Sequence, residues 1–94
     1  MDGIADTRVE MTERLVLSKI ESSVPEIARA ISAWDSSKQK PTDLRPRMLK
    51  LRRFYGAVIR WRRAYQARAE KAAPEKKAAM LMDFVGLCRE YENS

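Results

Sequence analysis

Three observations predict an all-α protein. Apolar residues recur at intervals of three and four along most of the chain, which is helical rather than strand periodicity. One polar stretch, DSSKQKPT at 35–42, separates two such segments. Pro74 separates the second from a third. The prediction is one helical domain, residues 1–94, with three helices per protomer at about 7–34, 43–73 and 75–91.

In the first helix Leu17, Ile20, Val24, Ile27, Ile31 and Trp34 step by 3, 4, 3, 4 and 3, a narrow apolar stripe. Pro25 interrupts it. Ser23 and Glu26 have capping-box spacing and could restart a helix with Pro25 in its first turn. The stripe keeps its phase across Pro25, so a kink is expected there rather than a reversal. Asp43 is the expected N-cap of the second helix, with Pro46 tolerated in its first turn. A helix from 43 to 73 would be about 45 Å long at about 1.5 Å per residue. The third helix has Glu75 near its positive end and Arg89 near its negative end. It carries two apolar runs, Ala78–Leu81–Val85–Cys88 and Met80–Phe84–Leu87–Tyr91.

A helix that is apolar on two sides needs a second partner. A chain this short also buries only about 60–65% of its unfolded surface. The expected solution is a homodimer, in which two antiparallel helical hairpins pair into a four-helix bundle.

Composition narrows the function. The chain has no His and one Cys, which excludes an intrachain zinc site, a Cys/His nucleophile pair and an internal disulfide framework. Three glycines are too few for a glycine-rich phosphate loop. No apolar run reaches the roughly 18 residues of a membrane span. The first six residues, MDGIAD, are acidic where a secretory signal is basic, so a cytoplasmic location is expected. Glu10, Glu13 and Glu21 have no nucleophile or acid partner in view, so no catalytic residues, metal or cofactor are expected.

Charge is the main clue. The chain carries a net charge of +6, yet residues 1–35 are net −3 and residues 72–94 net −1. Residues 45–71 hold ten basic groups and one acid, a net charge of +9. At about 100° per residue, Leu44, Met48, Leu51, Phe54, Tyr55, Val58, Trp61, Tyr65 and Ala69 share one broad sector. Arg45, Arg52, Arg53, Arg60 and Arg63 lie together on the other side, with Gly56 among them and Lys50 and Arg68 flanking. Arg62 breaks the pattern, falling in the apolar sector. Arginine presents a planar fork of donors and stays charged, so a row of them suits a polyanion. The competing reading is a solvated face, partly paired with Glu10, Glu13, Glu21 and Glu26. A mid-helix Gly costs about 1 kcal/mol, and Gly56 would be explained by close approach of a phosphate, by a helix crossing or by simple tolerance. The aromatic residues opposite the arginines read as core rather than as stacking platforms for bases. A surface that reads phosphates rather than bases fits double-stranded RNA, whose narrow major groove shuts out side chains.

The stretch Pro41-Thr42-Asp43-Leu44-Arg45, followed by Met48, Leu51 and Phe54, resembles the start of the second helix in the nodavirus RNA-silencing suppressors. Arg14-Leu15-Val16-Leu17 is similar to the basic-Leu-Ala-Leu opening of that family's first helix. Pro74 and the small-apolar run ending in Gly86 resemble its short third helix. These patches span residues 14–86. The chain departs from the family around 55–73, where its arginines are denser, and Arg45 alone matches a family basic position. The resemblance implies a homodimeric antiparallel four-helix bundle that binds double-stranded RNA along one face, with no catalysis. It further implies shielding of long and small interfering duplexes from the host silencing machinery, with a host silencing protein as a further partner and the host cytoplasm as the location. Two other readings stand beside it. One is a helical protein-interaction module, an inhibitor or adaptor, with the apolar third helix as its partner site. The other is a helix lying on an anionic membrane surface.

Overall fold

The computed structural model describes residues 2–93; Met1 and Ser94, the ends of the predicted domain, lie outside the described residues. The fold is all-α, with three helices: α1 (Asp2–Ser36), α2 (Arg45–Arg68) and α3 (Pro74–Asn93). A 3-10 turn at Thr42–Leu44 precedes α2 and another at Ala69–Lys71 follows it. Each helix packs on the other two. Glu13 of α1 meets Tyr65 of α2, while Asp35 meets Arg52, so these helices run antiparallel. Phe54 meets Tyr91 and Trp61 meets Phe84, so α3 runs back along α2 and beside α1. The molecule is a rod of 57 × 22 × 17 Å. Its radius of gyration is 16.1 Å, against about 12 Å for a compact chain of this length. The long axis follows from α1, whose 35 residues extend about 52 Å.

All three helices supply the core. Val16 and Ile20 from α1, Val58 and Tyr65 from α2, and Leu81 and Phe84 from α3 form one buried cluster. Leu17, Val24, Phe54, Trp61, Met80 and Cys88 pack around it. The first half of the α1 stripe, Leu17, Ile20 and Val24, thus meets the aromatic sector of α2, while Ile27, Ile31 and Trp34 are only partly covered and lie outside the core cluster. Trp61 also donates its indole N–H to the Met80 carbonyl at 2.7 Å, fastening α2 to α3. α1 continues through Pro25 without reversal, and the Ser23–Glu26 box starts no new helix. Pro25 has no N–H to give the Glu21 carbonyl and its ring crowds that oxygen, the usual origin of a kink.

The boundaries differ from those predicted at 7–34, 43–73 and 75–91. α2 is shorter by seven residues in total: 43–44 and 69–71 lie in 3-10 turns, and 72–73 lie in no helix. Asp43 lies inside the first 3-10 turn and is not the N-cap; Leu44 occupies that position with no side-chain cap. At the other end, Ala72 is extended at φ −83°, ψ 140°. The residue before a proline, here Ala73, is disfavoured in the helical region; the chain has already left it at Ala72, one residue earlier. The basic helix therefore has 24 residues and a length of about 36 Å, not 45 Å.

The homodimeric four-helix bundle is also corrected. Its argument was that α3, apolar on two sides, needs a twin chain. In the structure one chain meets that need: Leu81 and Phe84 are buried between α1 and α2, and Val85, Leu87 and Tyr91 are partly covered. The architecture is a three-helix protomer with its own core.

Candidate nucleic-acid interface

Helical phase sets the polarity of α2. Val58 and Tyr65 point into the core and Phe54 and Trp61 pack against it. The sector opposite is exposed, and Arg45, Arg53, Arg60 and Arg63 all lie there. From Arg45 to Arg63 the row spans about 27 Å. None of these four forms an ion pair with any described residue. Arg68 is exposed at the end of the helix. The α1 glutamates that could have neutralised the row, Glu10, Glu13, Glu21 and Glu26, form no ion pair with it among the described residues. Glu13 instead accepts a hydrogen bond from the Tyr65 hydroxyl and lies 3.9 Å from Lys77 Nζ, tying the three helices together. Burial, then the Glu13 carboxylate, push the Tyr65 hydroxyl well above the ordinary tyrosine range.

The other predicted site residues have different surroundings. Arg52 is exposed but paired with Asp35, at the edge of the row nearest α1. Lys50 is half-buried, with its ammonium 4.8 Å from the Tyr91 ring centre; Tyr91 in turn stacks on Phe54 at 4.4 Å. Lys50 is thus turned toward α3. At Gly56 a Cβ would lie 3.3 Å from Nη1 of Arg60, the far end of a flexible side chain, so this contact does not by itself require glycine. The guanidinium of Arg60 is folded back over the glycine, taking the space assigned to an approaching phosphate. Arg62 is half-buried and forms no ion pair with a described residue.

Sequence reasoning missed two features. Leu49 lies within the arginine sector and is 57% exposed. It borders a groove of about 530 Å³ between α2 and α3, whose wall includes Phe54, Leu87 and Tyr91. The wheel could have shown Leu49 had it been read for apolar intruders as well as for charges. The Asp35–Arg52 pair joins residues 17 apart, and no short-range spacing announces it. The one signal was an acid in the last turn of a helix, where the macrodipole disfavours it.

Around the single thiol, burial pushes the Cys88 pKa up, against the nearby Lys19 charge. Among the described residues no cluster of potential ligands could hold a metal ion, and no helix is long and apolar enough to cross a membrane. No protein-family model matches the chain, and neither a curated protein nor a solved structure matches it. None of these comparisons supports the assignment to viral suppressors of RNA silencing or its host–virus role, and neither is retained.

Proposed function

We propose that the arginine face of α2 binds the phosphate backbone of double-stranded RNA without reading its sequence. The observation that carries this reading is the row Arg45, Arg53, Arg60 and Arg63, exposed on one side of a rigid helix and lacking carboxylate partners among the described residues. Neutralised phosphates release their counterions, so such a row gives affinity independent of base identity. Readers of duplex DNA normally insert a helix end or a basic region into the major groove, with Asn or Gln against base edges. The single amide of α2, Gln66, falls outside the arginine sector. Duplex RNA, held through phosphates and 2′-hydroxyls, asks for no such reader.

The adaptor reading, with α3 as partner site, is less favoured, because Leu81 and Phe84 are buried in the protomer's own core and Met80 and Cys88 pack against it. A gel-shift panel tests the proposal with duplex RNA, duplex DNA, an RNA–DNA hybrid and single-stranded RNA at two salt concentrations. Duplex RNA of any sequence should bind most tightly and weaken steeply with salt. Preferential retention of single strands, or sensitivity to duplex sequence, would refute it. Arg53→Glu or Arg60→Glu should abolish binding while circular dichroism stays that of the parent.

A further inference from the structure

We infer that Asp35 is a built-in competitor of phosphate for Arg52 and holds the duplex affinity of the arginine face below its maximum. The inference rests on the proposed function and adds a control element to that site. On the helical wheel Arg52 belongs to the same sector as Arg45, Arg53, Arg60 and Arg63. It differs from them in one respect: a guanidinium Nη2 hydrogen donates to Oδ1 of Asp35. A carboxylate oxygen there offers Arg52 what a phosphate oxygen would, a charged acceptor for its donor fork.

The placement of Asp35 is not explained by the needs of α1. It sits in the last turn of that helix, at the negative end of the macrodipole, and that turn has no basic residue of its own. Cations brought from later in the chain offset it. Lys40 donates its ammonium to the Ser37 carbonyl at 2.6 Å and to the Asp35 carbonyl at 3.4 Å. Arg52 takes the Asp35 carboxylate. The contact thus fastens the end of α1 to the edge of the arginine row. It is also reversible by nature. The side chains of Arg52 and Asp35 are 43% and 50% exposed, and half-exposed pairs are weak and screened by salt. A phosphate strand laid along the row can displace the carboxylate, but only by breaking the pair.

The test is a double-mutant cycle in duplex-RNA affinity, using the full chain, Asp35→Asn, Arg52→Gln and the double variant. One additional phosphate contact steepens the log–log salt slope by about 0.9, which corresponds to roughly five- to tenfold tighter binding at about 0.1 M salt. Asp35→Asn should show both changes. In the Arg52→Gln background the same substitution should change affinity by less than about twofold. Asp35→Ser should behave as Asp35→Asn does, with helix content checked by circular dichroism for all variants. Equal gains in both backgrounds would mean a general charge effect and overturn the inference. So would an unchanged affinity for Asp35→Asn in a chain that binds duplex RNA. If neither the parent nor Asp35→Asn binds duplex RNA, the proposed function itself fails and the inference with it. Binding by Asp35→Asn alone would support both.

Discussion

Single residues carry much of this molecule's organisation. Tyr65 is 3% exposed and gives its hydroxyl hydrogen to Glu13, which also faces Lys77. A hydrogen bond to a charged acceptor contributes about 1.5–3 kcal/mol, less where the acceptor keeps some solvent. Tyr65→Phe should therefore lower unfolding free energy by about 1–2 kcal/mol in urea titrations. The same contact has a pH signature. The folded-state pKa of Tyr65 lies above its unfolded value, because burial and Glu13 both disfavour the phenolate. Its contribution is fully present below the unfolded pKa of about 10 and is lost as pH rises toward the folded value. The parent should lose stability above about pH 10 more steeply than Tyr65→Phe does; parallel alkaline limbs would mean the hydroxyl is not held this way. Gly56 makes the opposite case. An alanine there meets only the end of the Arg60 side chain, which can swing away. Gly56→Ala should stabilise the helix by about 0.5–1 kcal/mol and leave duplex affinity within about twofold. A tenfold loss would place a phosphate against the backbone at that position.

The helices show which features the chain makes legible. The spacing from Leu17 to Val24 and the aromatic sector of α2 foretold which faces turn inward, since burial of an apolar stripe is a property of one helix and its period. The arginine sector was legible for the same reason. The ends of α2 were not, because Asp43 and the residues before Pro74 obey turn geometry shared with neighbouring segments. The place of α3 was not legible either. Two apolar runs say that a helix needs two partners, but not whether they come from its own chain. Here both do, and Leu81, 1% exposed, sits where the three helices meet. Leu81→Ala should cost about 2–5 kcal/mol, and a chain ending at residue 73 should lose cooperative unfolding. A cooperative transition in that truncated chain would mean that α1 and α2 form a stable unit by themselves.

At the level of the whole molecule, shape and charge agree. The fold is a 57 Å rod with a basic helix along one side and a net charge of +6. Its acids lie mainly on α1 and α3; one of them, Asp35, reaches the arginine row. On the proposed function, a rod of this kind would present several cations of one helix to a polyanion at once. Of the eight residues first read as the interface, four stand ready on one face. Arg52 is held by Asp35, Lys50 faces Tyr91, Gly56 is covered by Arg60, and Arg68 extends the row at its end.

The salt dependence of duplex-RNA binding tests the central claim most directly. Four to six neutralised phosphates predict a log–log slope of about −3.5 to −5.5, the same for unrelated duplex sequences, and shallower by about 0.9 for each of Arg45, Arg53, Arg60 or Arg63 replaced by Gln. A slope near −1, or one that those substitutions leave unchanged, would contradict it.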